Sequence, residues 1–280
     1  MRLLLTLNVG KQNKGMYSTI TLAKKYIQYY FKASNGKGHG VHSPFVYLFI
    51  KEVLNKNKST ELFSPIEVLR NELLHNKKIV QVWDRGAGSR QTENNNRAIC
   101  QIAKAALKPK KYSALLHHIV AYFKPANVLE MGTSLGITTS YLAVANPLVA
   151  VVTMEGAPTI AELARENFNK LGIQNIRIVE GDFDNTLPVY LNEIQQLGLA
   201  YVDGNHKYEP TIRYFKYLMD KSDEHTVLIF DDIHWSAEME LAWELIKNTE
   251  AVTLTIDLFF IGLVFFRKAQ KEKEHFIIRF

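Results

Sequence analysis

Acidic side chains recur at comparable places along the C-terminal half of this 280-residue chain: Glu130, Glu155, Asp182, Asp203 and the pair Asp231-Asp232 each close a short apolar run. Carboxylates that end buried strands gather at one edge of a sheet, where they can accept ribose hydroxyls, hold a cation or take a proton. A histidine follows each of the last two acids, His206 after Asp203 and His234 after Asp232. With an unperturbed pKa of about 6.5, His206 suits general-base work near neutral pH. The competing reading is a structural histidine bonded to nearby backbone. His234 either lines the same pocket or caps a turn.

The first acid belongs to Val128-Leu-Glu130-Met-Gly132-Thr133-Ser134-Leu-Gly136. Gly132 lets the backbone turn tightly after a strand, and Gly136 lets it come close to a ligand. Free amides at the following helix start, with Thr133 and Ser134 in the turn, face the pocket. The spacing is G-x-x-x-G, not the G-x-G-x-x-G that packs a pyrophosphate, and Glu130 beside it suits a cationic, amino-bearing ligand. Glu155 stands where an acid accepts both hydroxyls of a ribose. Asp182 is placed to accept from an adenine amino group and Phe183 to stack on the ring. A second glycine run, Val82-Trp-Asp84-Arg-Gly86-Ala-Gly88, lacks the strand that should follow about 20 residues on, so 86–89 reads as a loop.

The elements that must carry these residues follow from periodicity. After Pro125, strand patterns at 127–131, 149–154, 176–180, 199–202 and 226–230 alternate with helical ones at 138–145, 159–171, 187–196 and 210–220. A helix over 236–247 and two strands, 252–258 and 262–267, close the series. This predicts an α/β fold: a Rossmann-like, seven-stranded sheet ending in an antiparallel hairpin, with residues 125–280 as one domain. Residues 1–124 read as a mainly helical N-terminal extension or cap, with helices near 18–31, 45–55, 65–75, 97–107 and 113–123. The glycine-rich segment 35–44 cannot continue a helix. His39 and His42 lie in it, either as ordinary loop polars or reaching over a site.

Charge divides along the same boundary. Residues 1–126 hold 21 Lys/Arg against 6 Asp/Glu, and residues 127–280 hold 13 against 22. A basic half can attract nucleic acid or an anionic substrate, but its lysines are scattered, as on a solvated helical surface. The lone cysteine, Cys100, fits a reducing compartment, which makes cytoplasm the expectation. The apolar run at 3–7 is too short for a leader, and no run approaches the length of a membrane span.

Asp203-Gly-Asn-His206-Lys-Tyr208 followed by Phe230-Asp231-Asp232-Ile-His234-Trp235 resembles the class I O-methyltransferases related to catechol O-methyltransferase. The resemblance covers about residues 125–268. Gly36 to Phe45 resembles an N-terminal extension of uncharacterised bacterial methyltransferases. The resemblance implies S-adenosylmethionine as cofactor, bound by Glu130, Gly132, Thr133, Ser134, Gly136, Glu155, Asp182, Phe183 and Asp203, and O-methylation of a small molecule. In metal-dependent relatives an Asp and an Asp-Asn pair bind magnesium, with a Lys as base. Asp203, Asp231 and Asp232 occupy those ligand positions, and His206 the base position, so His206 and Asp203 are the expected catalytic pair. A divalent ion such as Mg and a purely hydrogen-bonding role for these acids both stay open. So do two other functions, a nucleic-acid methyltransferase and a non-catalytic S-adenosylmethionine-binding protein. The acceptor is not legible, and neither is a homo-oligomeric state.

Overall fold

A computed structural model describes residues 15–56, 61–82 and 96–280. Helices α1 (Thr19–Lys32), α2 (Pro44–Phe49), α3 (Ser64–His75), α4 (Ile99–Ala106) and α5 (Lys110–Phe123) fill the N-terminal part, with a two-stranded antiparallel ribbon, β1 (Ile79–Gln81) and β2 (Asn96–Ala98). From there β3 (Val128–Met131), α6 (Ile137–Ala145), β4 (Val151–Glu155), α7 (Pro158–Leu171), β5 (Ile176–Glu180), α8 (Phe183–Glu193), β6 (Leu199–Val202), α9 (Tyr208–Met219), β7 (Val227–Asp231) and α10 (Ala237–Asn248) alternate. Strands β8 (Leu254–Asp257), β9 (Ile261–Phe265) and β10 (Glu274–Ile277) end the chain.

Among the described residues eight strands form the main sheet, in the order β10-β8-β9-β7-β6-β3-β4-β5. Strands β3 to β7 are parallel, and β9 runs antiparallel to β7 and β8, as the terminal hairpin required. The eighth strand, β10, adds in parallel to β8 and lacked a clear apolar signal, because its side chains alternate between half-buried and exposed at the sheet edge. Helix α8 begins at Phe183, ahead of the expected 187, because the Asp182 side chain caps it by accepting from the Asp184 amide at 2.9 Å. The glycine loop expected at 86–89 lies outside the described residues.

Side chains of a strand alternate between faces, and both faces of this sheet are covered, as parallel strands require. Val128, Tyr201, Val227 and Ile229 pack with Val46 and Phe49 of α2 and Leu115, Leu116 and Ile119 of α5. Leu129, Met131, Ala200, Val202 and Phe230 pack on the other face with residues of α8, α9 and α10. The N-terminal helices therefore supply one wall of the sheet's core. Among the described residues no helix is long and apolar enough to cross a membrane.

Candidate functional site

The strand order decides which side chains meet. Reading across β5, β4, β3, β6 and β7, the carboxyl ends present Asp182, Glu155, the Gly132 turn, Asp203 and Asp231 in a row. Neighbouring strands lie about 4.8 Å apart, so the row spans roughly 19 Å.

Backbone conformation marks the same edge. Of the five described non-glycine residues with positive φ, three sit just after β3, β6 and β7: Ser134 (φ 48°), Asn205 (φ 55°) and Asp232 (φ 53°). Such conformations are unfavourable for L-residues and cluster at functional sites. Gly132, at φ 108°, is required by contact, since a Cβ there would collide with the Asp203 carbonyl oxygen. The crowding at Gly136 has another origin than the close ligand approach expected from sequence: a Cβ would strike the ring of Phe168 on α7.

Glu130 is fully buried. Its Oε2 accepts from the hydroxyls of Thr139 and Thr153, the latter at 2.7 Å, while its Oε1 has no partner. Burial pushes its pKa up to about 8, with both hydroxyls opposing. The Thr133 hydroxyl turns inward to Thr153, 2.7 Å away. Glu155 accepts from the backbone amides of Ser134 (2.9 Å) and Ala157 (3.0 Å), which fixes its carboxylate beside the turn. The Phe183 ring lies over Gly204, where a Cβ would come 2.7 Å from it, and meets Tyr214 edge-on.

At the other end of the row, Asp203 accepts from the Tyr201 hydroxyl at 3.0 Å, and His206 Nε2 lies 3.5 Å from its Oδ1. The unexpected member is Lys108. Its ammonium contacts Asp231 Oδ2 and lies 3.8 Å from Asp203 Oδ2. No local signal in the sequence singles it out, because Lys108 stands 123 residues before Asp231, among scattered lysines.

Burial alone would lower the Lys108 pKa, but Asp203, Asp231 and Asp232 overrule it and keep the ammonium charged. Burial likewise opposes ionisation of Asp203, yet Lys108 and His206 hold it well below the usual carboxylate range. Asp231, deeper and facing Asp203 and Asp232, is pushed up against the pull of Lys108. For His206, hydrogen bonding and charge from Asp203 and Asp232 outweigh burial and raise its pKa.

Donor atoms of Asp203, His206 and Asp231 lie within 4.8 Å of one another, a spacing that a small cation could bridge. The Lys108 ammonium already lies against Asp231 here, so an ion bound to the same oxygens would face its positive charge. Asp232, after its positive-φ turn, donates its amide to the Phe260 carbonyl at 2.6 Å. His234 points away from the row, with Nδ1 3.1 Å from Glu240 and Nε2 2.7 Å from Asp257. His39 and His42 are exposed in their loop.

Residues 129–233, from β3 into the loop after β7, match the family described as a methyltransferase domain. In that segment the chain is similar to a methyltransferase domain. Over 113 residues it is 29% identical to O-methyltransferase imqG of Aspergillus flavus, a match covering 38% of this chain and 45% of that protein. Over 80 residues it is 30% identical to a tRNA (guanine-N(7)-)-methyltransferase of Mycoplasma mobile, covering 29% and 40%. These matches span less than half the length of either curated relative. The solved structure of S-adenosylhomocysteine-bound Podospora anserina methyltransferase PaMTH1 is similar in fold, with TM-score 0.54 and 13% identity over 93% of this chain and 100% of that one. The matched segment of the methyltransferase domain holds the whole row of strand-end acids, and Lys108 lies outside it.

Proposed function

We propose that the chain transfers a methyl group from S-adenosylmethionine to an oxygen of a small molecule. Glu130 carries the reading: a buried carboxylate under the glycine turn with one oxygen unpartnered invites a donor, and the ammonium of the cofactor's amino-acid end is such a donor. Glu155, one strand over, suits the ribose hydroxyls. Asp182 and Phe183, one strand further, suit the adenine amino group and ring. The bound cofactor supplies an electrophilic methyl on a sulfonium. Asp203 and His206, past the other side of the turn, then orient the acceptor and receive its proton, and most of the acceleration comes from alignment of the two reactants.

In this reading residues 125–280 hold the cofactor and residues 1–124 shape the acceptor side. The single cysteine fits a reducing compartment, and we place the chain in the cytoplasm. The test is transfer of labelled methyl to a panel of small hydroxylated compounds. His206→Ala should lower turnover about 100-fold with cofactor affinity unchanged. Retained turnover would make His206 structural, and cofactor binding without transfer to any acceptor would make the chain a scaffold.

A second reading, methylation of a nucleic acid, is favoured by the basic N-terminal half and by the Mycoplasma mobile relative. It requires salt-sensitive binding of tRNA or another nucleic acid, and no binding at low salt excludes it.

A further inference from the structure

Lys108 reaches the acidic site from the helical half, and its backbone is held there. Arg70 of α3, itself buried, donates from Nη1 to the Lys108 carbonyl at 2.6 Å. Two more contacts fix the same guanidinium, Nε to Glu67 at 2.8 Å and Nη2 to Ser113 at 3.3 Å, and Glu67 also accepts from the Tyr141 hydroxyl at 2.7 Å. On the other side Pro109 has a ring-restricted φ and leads directly into α5. A lysine stem ordinarily samples many rotamers. Here both flanks of its backbone are anchored, and its head is buried against two carboxylates.

We propose that Lys108 is the resident cation of this site: its ammonium takes the place among Asp203, His206 and Asp231 that a divalent ion would otherwise fill, and it offers its remaining N–H to the acceptor oxygen. Three observations carry this. The ammonium contacts Asp231 and lies 3.8 Å from Asp203, within a donor cluster no wider than 4.8 Å. Three neighbouring carboxylates in a largely buried pocket need a counter-charge, and Lys108 supplies one. Asp231 Oδ1 is buried and unpartnered, so the protein itself does not satisfy the acids of this cluster and the ammonium is the charge that balances them. An ammonium has three donors and two face the acids, which leaves one for substrate. Only this last role rests on the methyltransferase reading.

The test is titration of the full-length chain with Mn2+ alone, following the free ion by electron paramagnetic resonance. Wild type should bind no stoichiometric Mn2+ in the sub-millimolar range. Lys108→Met should gain one site, which adding Asp203→Asn should remove. A sub-millimolar site in wild type that Asp231→Asn abolishes would overturn the proposal, as would a folded Lys108→Met chain that gains no site. If Lys108→Met does not fold, wild type and Lys108→Arg decide: both should stay free of Mn2+, and stoichiometric binding by either would overturn the proposal. No cofactor or acceptor enters the titration, so its outcome stands whether or not methyl transfer is found.

Discussion

Two clusters of nearly the same composition flank the loop after β7. One joins Lys108 to Asp231, Asp203 and His206, and the other joins Lys25 of α1 to Glu240, His234 and Asp257. Each recruits a lysine from the N-terminal part, Lys25 on α1 and Lys108 between α4 and α5, to acids of the sheet half. They differ in saturation. In the second, Glu240 Oε1 faces Lys25 and His234, its Oε2 faces Lys25 and the Tyr17 hydroxyl, and Asp257 meets His234 with one oxygen and accepts the Phe259 amide with the other. In the first, Asp231 Oδ1 has no partner and His206 stands 3.5 Å from Asp203. A closed network rigidifies an architecture, whereas a buried network left open is held ready for a ligand. The same residue types thus serve as a clasp for α1 in one place and, in the proposed reading, as a reacting site in the other.

The largest contrast should come from the carboxylates. Asp203→Asn should cut turnover by about 100-fold or more. Glu240→Ala should leave turnover per folded molecule nearly intact and cost about 2 kcal/mol of stability, through the partners it strands. Steady-state kinetics and thermal unfolding on the same two variants would erase the distinction if both lost activity equally.

Glu130 gives the next effect. Its folded pKa of about 8 lies above the ordinary carboxylate value, so its contribution to stability is complete at low pH and falls as the unfolded chain ionises, between about pH 4.5 and 8. Glu130→Gln should flatten that decline in unfolding free energy against pH and weaken cofactor binding. An unchanged slope would show that Glu130 is ionised in the free chain. The smallest effect belongs to His234. Asp257 and Glu240 raise its pKa against burial, so the clasp is at full strength below the ordinary histidine range and weakens as pH rises past it. Hydrogen exchange in α1 should quicken on that rise in wild type and lose the dependence in His234→Asn.

Much of the sheet was legible because its strands are short apolar runs closed by acids, and because one antiparallel hairpin follows five parallel units. Legibility ended where tertiary contact, not local pattern, decides. The β10 edge strand carries too few buried side chains to announce itself. The side-chain cap at Asp182 moved the start of α8 forward by four residues from the periodic pattern. Gly136 proved to be shaped by Phe168 of α7, which no spacing rule within the loop contains. The acids at the site could be named one by one, yet Lys108 could not, because a pairing across 123 residues leaves no periodic trace. For His234 the sequence left pocket lining and turn capping open, and its actual partners, Glu240 and Asp257, leave no local trace.

The most direct measurement is calorimetric titration of the full-length chain with S-adenosylmethionine, comparing wild type with Glu155→Ala. One site per chain in wild type, weakened about 100-fold or more in the variant through loss of a charged hydrogen-bond pair, is the expected result. Equal affinity in the two proteins, or no binding by wild type, would contradict the assignment of the strand-end row to this cofactor.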